Sequence, residues 1–473
     1  MSAAGMELTH LSLVEAAQDI VSGKTSSEEV TRACLERIEQ LQPRLNCFIA
    51  IRGDEALDDA RRADQEQAKG NLRGPLHGVP LAHKDLYYRA GTVSTGGTII
   101  RKDFVPDYTA TVLERLGAAG ALDVGALNMC EFATGPHGLN DHYGHCRNPW
   151  NIAHICGGSS SGSGTSVAGR LVFGSLGTDT GGSVRLPAGM CGLVGLKPTY
   201  SRVSRHGVMP LSFSLDHVGP LTRTVRDCAR MMTVIAGQDS KDPTSSAEPV
   251  PDYEAGLEEG VKGLKIGVPE NYFYDKTGDE VRKAMEQSLE VYRSLGAELV
   301  TLQVPDMAQV FELGQIVSRA EAAALHRQWL AERPGDYSPQ VRARNQQGLM
   351  IPATHYIEAL SLRQQIMAGF VAEVLDKVDV LHTPMLSIPV PTIEETDVGA
   401  SERMNSVITG LTWCTRPFNY LGVPVLTMPA GLSANGLPMS FQLAGRPYGE
   451  AKLLRIARAY EKETGWHETV PPC

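Results

Sequence analysis

No two of the nine cysteines stand as a C-x-x-C pair, and the number is odd. A disulfide framework is therefore disfavoured, and free thiols in a reducing compartment fit better. The chain also lacks a run of 18 apolar residues, so no membrane-spanning helix is expected. It does not open on a basic start followed by an apolar run: Met1 to Ile20 carries Glu7, Glu15 and Asp19. The expectation is a cytoplasmic protein without a leader. Positive charge is short as well, with 44 Lys and Arg against 54 Asp and Glu and a net charge of -10. That argues against a surface that tracks nucleic-acid phosphates. No sequence repeat is present. What remains is a globular composition, 42% hydrophobic and 21% charged over 473 residues. A prior of about 150 residues per domain suggests three domains, but one large α/β domain also fits.

The apolar periodicity predicts two helices over residues 7–41. Leu8, Leu11, Leu13, Val14, Ala17 and Ile20 give the first stripe, and a capping box from Thr25 to Glu28 opens the second. A charged helix follows over 52–69 and another over 110–119. Buried strands are expected at about 74–84, 122–127, 265–268, 378–381 and 423–428. Residues 135–164 form a long irregular stretch, of the kind that carries function. A helix is then expected from Ser166 to Gly174. Residues 239–256 read as a surface linker. An amphipathic helix over 279–295 and a closing helix over 451–463 complete the pattern. The alternation favours an α/β fold with helices on both faces of a sheet.

Two glycine-serine clusters and one lysine carry the chemistry. The clusters are Gly157-Gly158-Ser159-Ser160-Ser161-Gly162-Ser163-Gly164 and Gly177-Thr178-Asp179-Thr180-Gly181-Gly182-Ser183-Val184-Arg185. The lysine is Lys84, just after the apolar run Gly78-Val79-Pro80-Leu81-Ala82. A serine hydroxyl needs a base to become a nucleophile, and Ser-Lys arrangements do this without histidine. The lysine must be neutral, so its pKa of about 10.4 has to fall by roughly 2 to 3 units. Burial and a shortage of carboxylates would lower it. Asp85 would oppose the shift unless strand alternation turns it to the opposite face. Gly181 and Gly182 let the backbone approach a substrate closely, as an oxyanion site requires.

Competing motifs are weaker. Gly158-Ser159-Ser160-Ser161-Gly162 matches G-x-S-x-G about Ser160, yet no clear strand leads into it. Neither cluster holds the lysine of a phosphate-binding loop. Cys130, His137, His142, His145, Cys146, His154 and Cys156 crowd one stretch, but their spacings match no familiar zinc set. No metal is expected.

The two clusters, together with Cys191-Gly192-Leu193-Val194-Gly195-Leu196-Lys197-Pro198-Thr199, resemble the amidase signature family. Gly78-Val79-Pro80 leading to Lys84-Asp85, Asn128-Met129-Cys130-Glu131-Phe132-Ala133, Asp216 to Thr222 and Asn419 to Pro424 extend the resemblance. It is strong over residues 72–235 and weaker over 419–462. It implies one α/β domain over 1–473, with a mixed central sheet of about eleven strands flanked by helices on both faces. It implies no cofactor. By position, Ser183 would be the nucleophile, Ser159 a bridging serine after a cis peptide bond, and Lys84 the base. The N–H groups of Thr180, Gly181, Gly182 and Ser183 would form the oxyanion hole, and Asp179 and Arg185 would brace that loop. Two departures are Ser161, where the family usually has glycine, and Cys130, where many members carry Asp.

The expected activity is hydrolysis of small amides, with carbamates (urethanes) and esters open to the same acyl-enzyme chemistry. The alternative is the glutaminase component of a glutamyl-tRNA(Gln) amidotransferase, its A subunit, to which Lys197 to Arg205 leans. Against it, Gly410 to Phe418 holds no acid to meet a substrate ammonium. An inactive scaffold is a third reading. Residues 300–415 are expected to shape the pocket. Its expected lining is Met129, Thr134, Gly135, Met209, Phe213, Thr412 and Trp413, joined by Leu211, Leu411 and Phe418, which suits an apolar substrate. The expected partner is a small amide or carbamate, with a homodimer for assembly.

Overall fold

The first apolar stripe is broken by a cap the periodicity did not reveal. Ser12 and Glu15 form a reciprocal capping box, so Ala3–His10 and Leu13–Val21 are separate helices. The next helix, Ser27–Leu45, opens on a box between Ser26 and Glu29, one residue later than expected. Thr25 instead donates its hydroxyl to Glu29. The charged helix Gly53–Ala68 buries Ala56, Ala60 and Ala63, one narrow stripe at helical spacing. The computed structural model describes residues 3–473. Met1 and Ser2, the start of the stretch inspected for a leader, lie outside them.

Eleven strands are present among the described residues: β1 (Phe48–Ile51), β2 (Pro80–Lys84), β3 (Leu122–Leu127), β4 (Gly174–Asp179), β5 (Val194–Lys197), β6 (His217–Thr222), β7 (Lys265–Pro269), β8 (Glu298–Leu302), β9 (Val380–Pro384), β10 (Val425–Leu432) and β11 (Pro438–Ala444). They form a three-stranded sheet, β1-β3-β2, and an eight-stranded sheet, β4-β6-β5-β10-β11-β9-β7-β8. The larger is mixed: β7 pairs in parallel with β8 and β9, and the other pairs are antiparallel. Alternation along β11 assigns its faces. Ser440 and Gln442 meet the helix Arg185–Cys191, whereas Phe441 packs on Tyr292 and Tyr460 of the helices Asp279–Ser294 and Glu450–Thr464. Helices thus cover both faces of one α/β domain.

The sheets meet where β2 lies beside β4. Leu176 N–H donates to the Nδ1 of His83 at 3.1 Å rather than to a carbonyl. Tyr87 spans the same seam, donating its hydroxyl to Gly177 O at 2.7 Å. A side chain intrudes where a ladder bond would run, so the expected single sheet is divided. Burial lowers the His83 pKa to about 4, which keeps the ring a neutral acceptor.

Two further expectations change. The helix after the first glycine-serine cluster is Ser161–Ala168, not 166–174. Its glycines give poor helix propensity but allow close packing. A Cβ on Gly162 would lie 2.4 Å from Cys47 O and 2.6 Å from Asn128 N. Residues 239–256 are a strap tied to the body, not a loose linker. The buried Arg202 donates to Glu248 O, Pro249 O and the Tyr253 hydroxyl. No helix among the described residues is long and apolar enough to cross a membrane.

Gly162→Ala is expected to lower stability by roughly 2 kcal/mol or more, because backbone must move to admit the methyl. Gly117→Ala, in the helix Thr111–Ala118 with nothing within 4 Å of its Cβ, is expected to be neutral or stabilising by about 0.5–1 kcal/mol. Urea unfolding of the two variants measures both.

Candidate active site

Strand β2 delivers Lys84 to the seam between the sheets, where it is fully buried. Its Nζ lies 2.7 Å from Ser159 Oγ and 2.9 Å from the hydroxyl of Thr178 on β4. Burial lowers its pKa from 10.5 to about 7, and Cys130, Asp216 and Asp179 oppose that only in part. Asp85 does not join them. Its carboxyl turns to Thr95, taking a bond from the N–H at 2.9 Å and another from the hydroxyl. Adjacent residues on the strand therefore face apart, as the alternation predicts. In the unfolded chain the lysine protonates near 10.5, and in the folded chain near 7. The unfolded state holds the extra proton between those values, so burial costs stability below pH 7. The cost fades as pH rises towards 10.5.

Ser159 follows a cis peptide bond from Gly158. Its carbonyl takes the Cys130 N–H at 3.1 Å. A Cβ on Gly158 would lie 2.7 Å from Cys130 Sγ, so this residue must be small. Ser160, centre of the G-x-S-x-G match, is buried and bound to β4 through Thr178 O at 3.3 Å and Thr178 N at 3.2 Å. Its N–H also donates to Ser183 O at 3.4 Å, which joins the two clusters through their backbones. Ser161 donates to Asn128 O and opens the helix without disturbing Ser159. Of the serines in the two clusters, Ser183 is the one that lines the adjoining cavity.

The loop before Ser183 is held by Asp179 and Arg185, both fully buried. Arg185 Nε and Nη2 each donate to the carboxylate at 3.0 Å. Asn419 donates to the same carboxylate at 2.8 Å, and Thr415 O, Gln442 Oε1 and Asn419 Oδ1 take the remaining guanidinium protons. Burial raises the Asp179 pKa, but Arg185 and Asn419 outweigh it and hold the carboxyl well below its ordinary value. Asp179 also takes the N–H of Gly182 at 2.8 Å. Gly182 therefore belongs to the brace, and its N–H is turned away from the oxyanion position expected of it. Thr180, Gly181 and Ser183 line the cavity.

The cavity measures about 40 Å³, room for a few water-sized groups at roughly 10–15 Å³ each. Thr134, Gly135, Leu211 and Thr412 line it as expected. Met129 and Met209 are instead buried in the main core. Phe213 is 51% exposed and sits on a separate surface hollow. Trp413 stacks on Tyr272 at 4.3 Å beneath the Lys276 ammonium. Leu411 is buried in the apolar cluster that also holds Trp150, and Phe418 stacks on Phe273. The apolar lining comes instead from Ala133, Pro136, Leu186, Ala322 and Ile408 with Leu211, and beside it stand Arg319, Arg344 and Arg416 with Ser318 and Asn345. These arginines and Thr178 were not singled out in the sequence. Arg416 had a signal in its place just before Pro417-Phe418-Asn419. Arg344 reads as an ordinary charge on a solvated helix face. The histidines of 137–154 take protein partners: His137 meets Gln340, His142 meets Glu131, and His154 meets Val390 O.

Comparison with known proteins agrees with this architecture. A family model described as Amidase matches residues 29–454. The chain is 39% identical over 486 residues to the A subunit of the glutamyl-tRNA(Gln) amidotransferase from Geobacter metallireducens (strain ATCC 53774 / DSM 7210 / GS-15), covering 98% of this chain and 99% of that one. It resembles a solved structure described as an unexpected vestigial protein complex revealing the evolutionary origins of an s-triazine catabolic enzyme. The TM-score is 0.90 with 32% identity, covering 98% of this chain and 100% of that one. The native peptide amidase from Stenotrophomonas maltophilia matches with a TM-score of 0.83 and 31% identity, covering 98% of each chain.

Replacing Thr178 with Val removes one of the two hydroxyls that orient Lys84. The expected result is a fall in kcat of roughly 10- to 100-fold with the fold intact, read by steady-state kinetics and circular dichroism. With Lys84 required neutral, kcat/KM for an amide should rise through an acid limb centred near pH 7. A limb centred near the lysine's ordinary 10.5 would contradict the site's electrostatics.

Proposed function

Because the chain belongs to the amidase family, we propose that it hydrolyses the C–N bond of a small amide through an acyl-enzyme on Ser183. The observation that carries this reading is a buried lysine whose nitrogen bonds only hydroxyls, one of them the serine hydroxyl of Ser159 at 2.7 Å. Neutral Lys84 draws the proton of Ser159 as Ser159 takes that of Ser183, and Ser183 attacks the carbonyl. Negative charge then grows on the carbonyl oxygen beside Thr180, Gly181 and Ser183, whose N–H groups would stabilise it. The proton returns along the same relay to the departing nitrogen. Water, deprotonated through the relay, cleaves the ester and frees Ser183. Asp179 and Arg185 act by holding the loop rather than by touching substrate. Carbamates and esters fit the same steps.

A second reading is the glutaminase component of a glutamyl-tRNA(Gln) amidotransferase, releasing ammonia from glutamine for a partner. Identity of 39% over 98% of the chain to such a component favours this reading over a stand-alone amidase. The cavity lining, which contains no Asp or Glu, weighs against free glutamine.

The test is hydrolysis of a 4-nitroanilide amide, an aryl carbamate, an aryl ester and glutamine by the wild type, Ser183→Ala and Lys84→Ala. Amide turnover is expected, with a loss of roughly 10³-fold or more in each variant. Unchanged rates in Ser183→Ala would refute the mechanism. Glutamine turnover that arises only with added partner subunits would select the second reading.

A further inference from the structure

The cavity beside Ser183 is cationic and has no internal counter-charge. Arg319, Arg344 and Arg416 all line it, and no Asp or Glu does. None of the three stands in an ion pair among the described residues, whereas Arg293 and Arg333 each pair with a carboxylate. Arg416 is 5% exposed, and its Nε has no protein partner. Its Nη1 reaches Ser318 Oγ, a neutral oxygen, at 3.2 Å. Its guanidinium lies against the nucleophile loop: a Cβ on Gly181 would be 3.3 Å from Arg416 Cζ. Arg344 leaves both Nε and Nη1 buried and unpartnered. Arg319 is held by two neutral oxygens, on Gln315 at 2.8 Å and on Asn405 at 3.2 Å. Two acids reach these groups from outside the cavity: solvent-exposed Glu312 acts on Arg319 and Arg416, and Asp179, already paired with Arg185, acts on Arg416.

Unpaired guanidinium groups converging on a small space are a site for an anion. Buried arginines elsewhere are held by a carboxylate, as Arg185 is by Asp179, or by neutral oxygens, as Arg202 is by two carbonyls and the Tyr253 hydroxyl. Arg319, Arg344 and Arg416 differ in converging on the cavity of Ser183, where unpartnered N–H groups of Arg344 and Arg416 are left for a ligand. We infer that the substrate is an amide whose acyl part carries a carboxylate and no ammonium, held through Arg319, Arg344 and Arg416. This deepens, and rests on, the reading of the chain as an amidase. The carboxylate belongs on the acyl side because that part stays bonded to Ser183 through the second half-reaction. The amine must leave. Thr412, which lines the cavity, is uncharged, and no Asp or Glu in the lining could meet an ammonium.

Three amides of one length isolate the charge: glutaramate carries a carboxylate only, L-glutamine a carboxylate and an ammonium, and pentanamide neither. Ammonia release by the wild-type chain is expected to give kcat/KM for glutaramate roughly 30-fold or more above each of the others, the scale of charged hydrogen bonds gained or lost. Arg344→Gln should cut the ratio of glutaramate to pentanamide by a similar factor, mainly through KM, and Arg344→Lys should restore part of it. Pentanamide or glutamine hydrolysed as well as glutaramate would overturn the inference, as would an unchanged ratio in Arg344→Gln. Release that Ser183→Ala abolishes keeps the amidase reading whatever the ranking. No release from any of the three overturns the inference, and the 4-nitroanilide assay then decides whether the amidase reading falls with it.

Discussion

The site depends on keeping one lysine dry. Lys84 sits at the seam of two sheets with only hydroxyls in bonding range of its nitrogen, Ser159 at 2.7 Å and Thr178 at 2.9 Å. A lysine in water would be a cation and useless as a base near neutrality. Taking it from a pKa of 10.5 to about 7 corresponds to about 5 kcal/mol of differential interaction. The fold sustains this by distributing charge around it. Asp85 is turned to Thr95, and Asp179 is saturated by Arg185 and Asn419. Cys130, whose N–H donates to Ser159 O, carries a thiol that burial raises to about 12 and so keeps neutral.

The second constraint is the Asp179–Arg185 pair. It lies at the end of β4 and closes the turn that presents Ser183. Because the pair is fully buried, its geometry matters more than its charge: a broken pair would leave an uncompensated ion in the core. The same arginine reaches Thr415 O and Gln442, which couples the nucleophile loop to β11 and to the segment carrying Arg416. Catalytic loop and substrate cavity are thus one mechanical unit. Ser183 lies on one side of that unit and Arg319, Arg344 and Arg416 on the other.

Much of this was legible in sequence because close backbone packing leaves glycine and serine little freedom to vary in position. Lys84, Ser159, Ser183, Asp179 and Arg185 lie within short phrases, and β3 matched its expected range of 122–127. The division of the sheet was not legible, since it turns on the side chain of His83 taking a backbone bond. The helix beginning at Ser161 was hidden by glycines and serines of poor helix propensity that packing overrides. The cavity was the least legible part. Its arginines come from Met307–Glu332, Pro339–Leu349 and the turn before Pro417, elements distant in sequence whose charges look like ordinary surface. Trp413 and Phe418, in contrast, satisfied a search for apolar lining but pack on Tyr272 and Phe273.

The most direct test of the account is the pH dependence of covalent labelling of Ser183 by an aryl sulfonyl fluoride, followed by peptide mass spectrometry. Labelling should fall on Ser183, with a rate that rises through a midpoint near pH 7 and is lost in Lys84→Ala. Labelling at another residue, or a rate at Ser183 that is the same with and without Lys84, would contradict the claim that a desolvated neutral lysine drives this site.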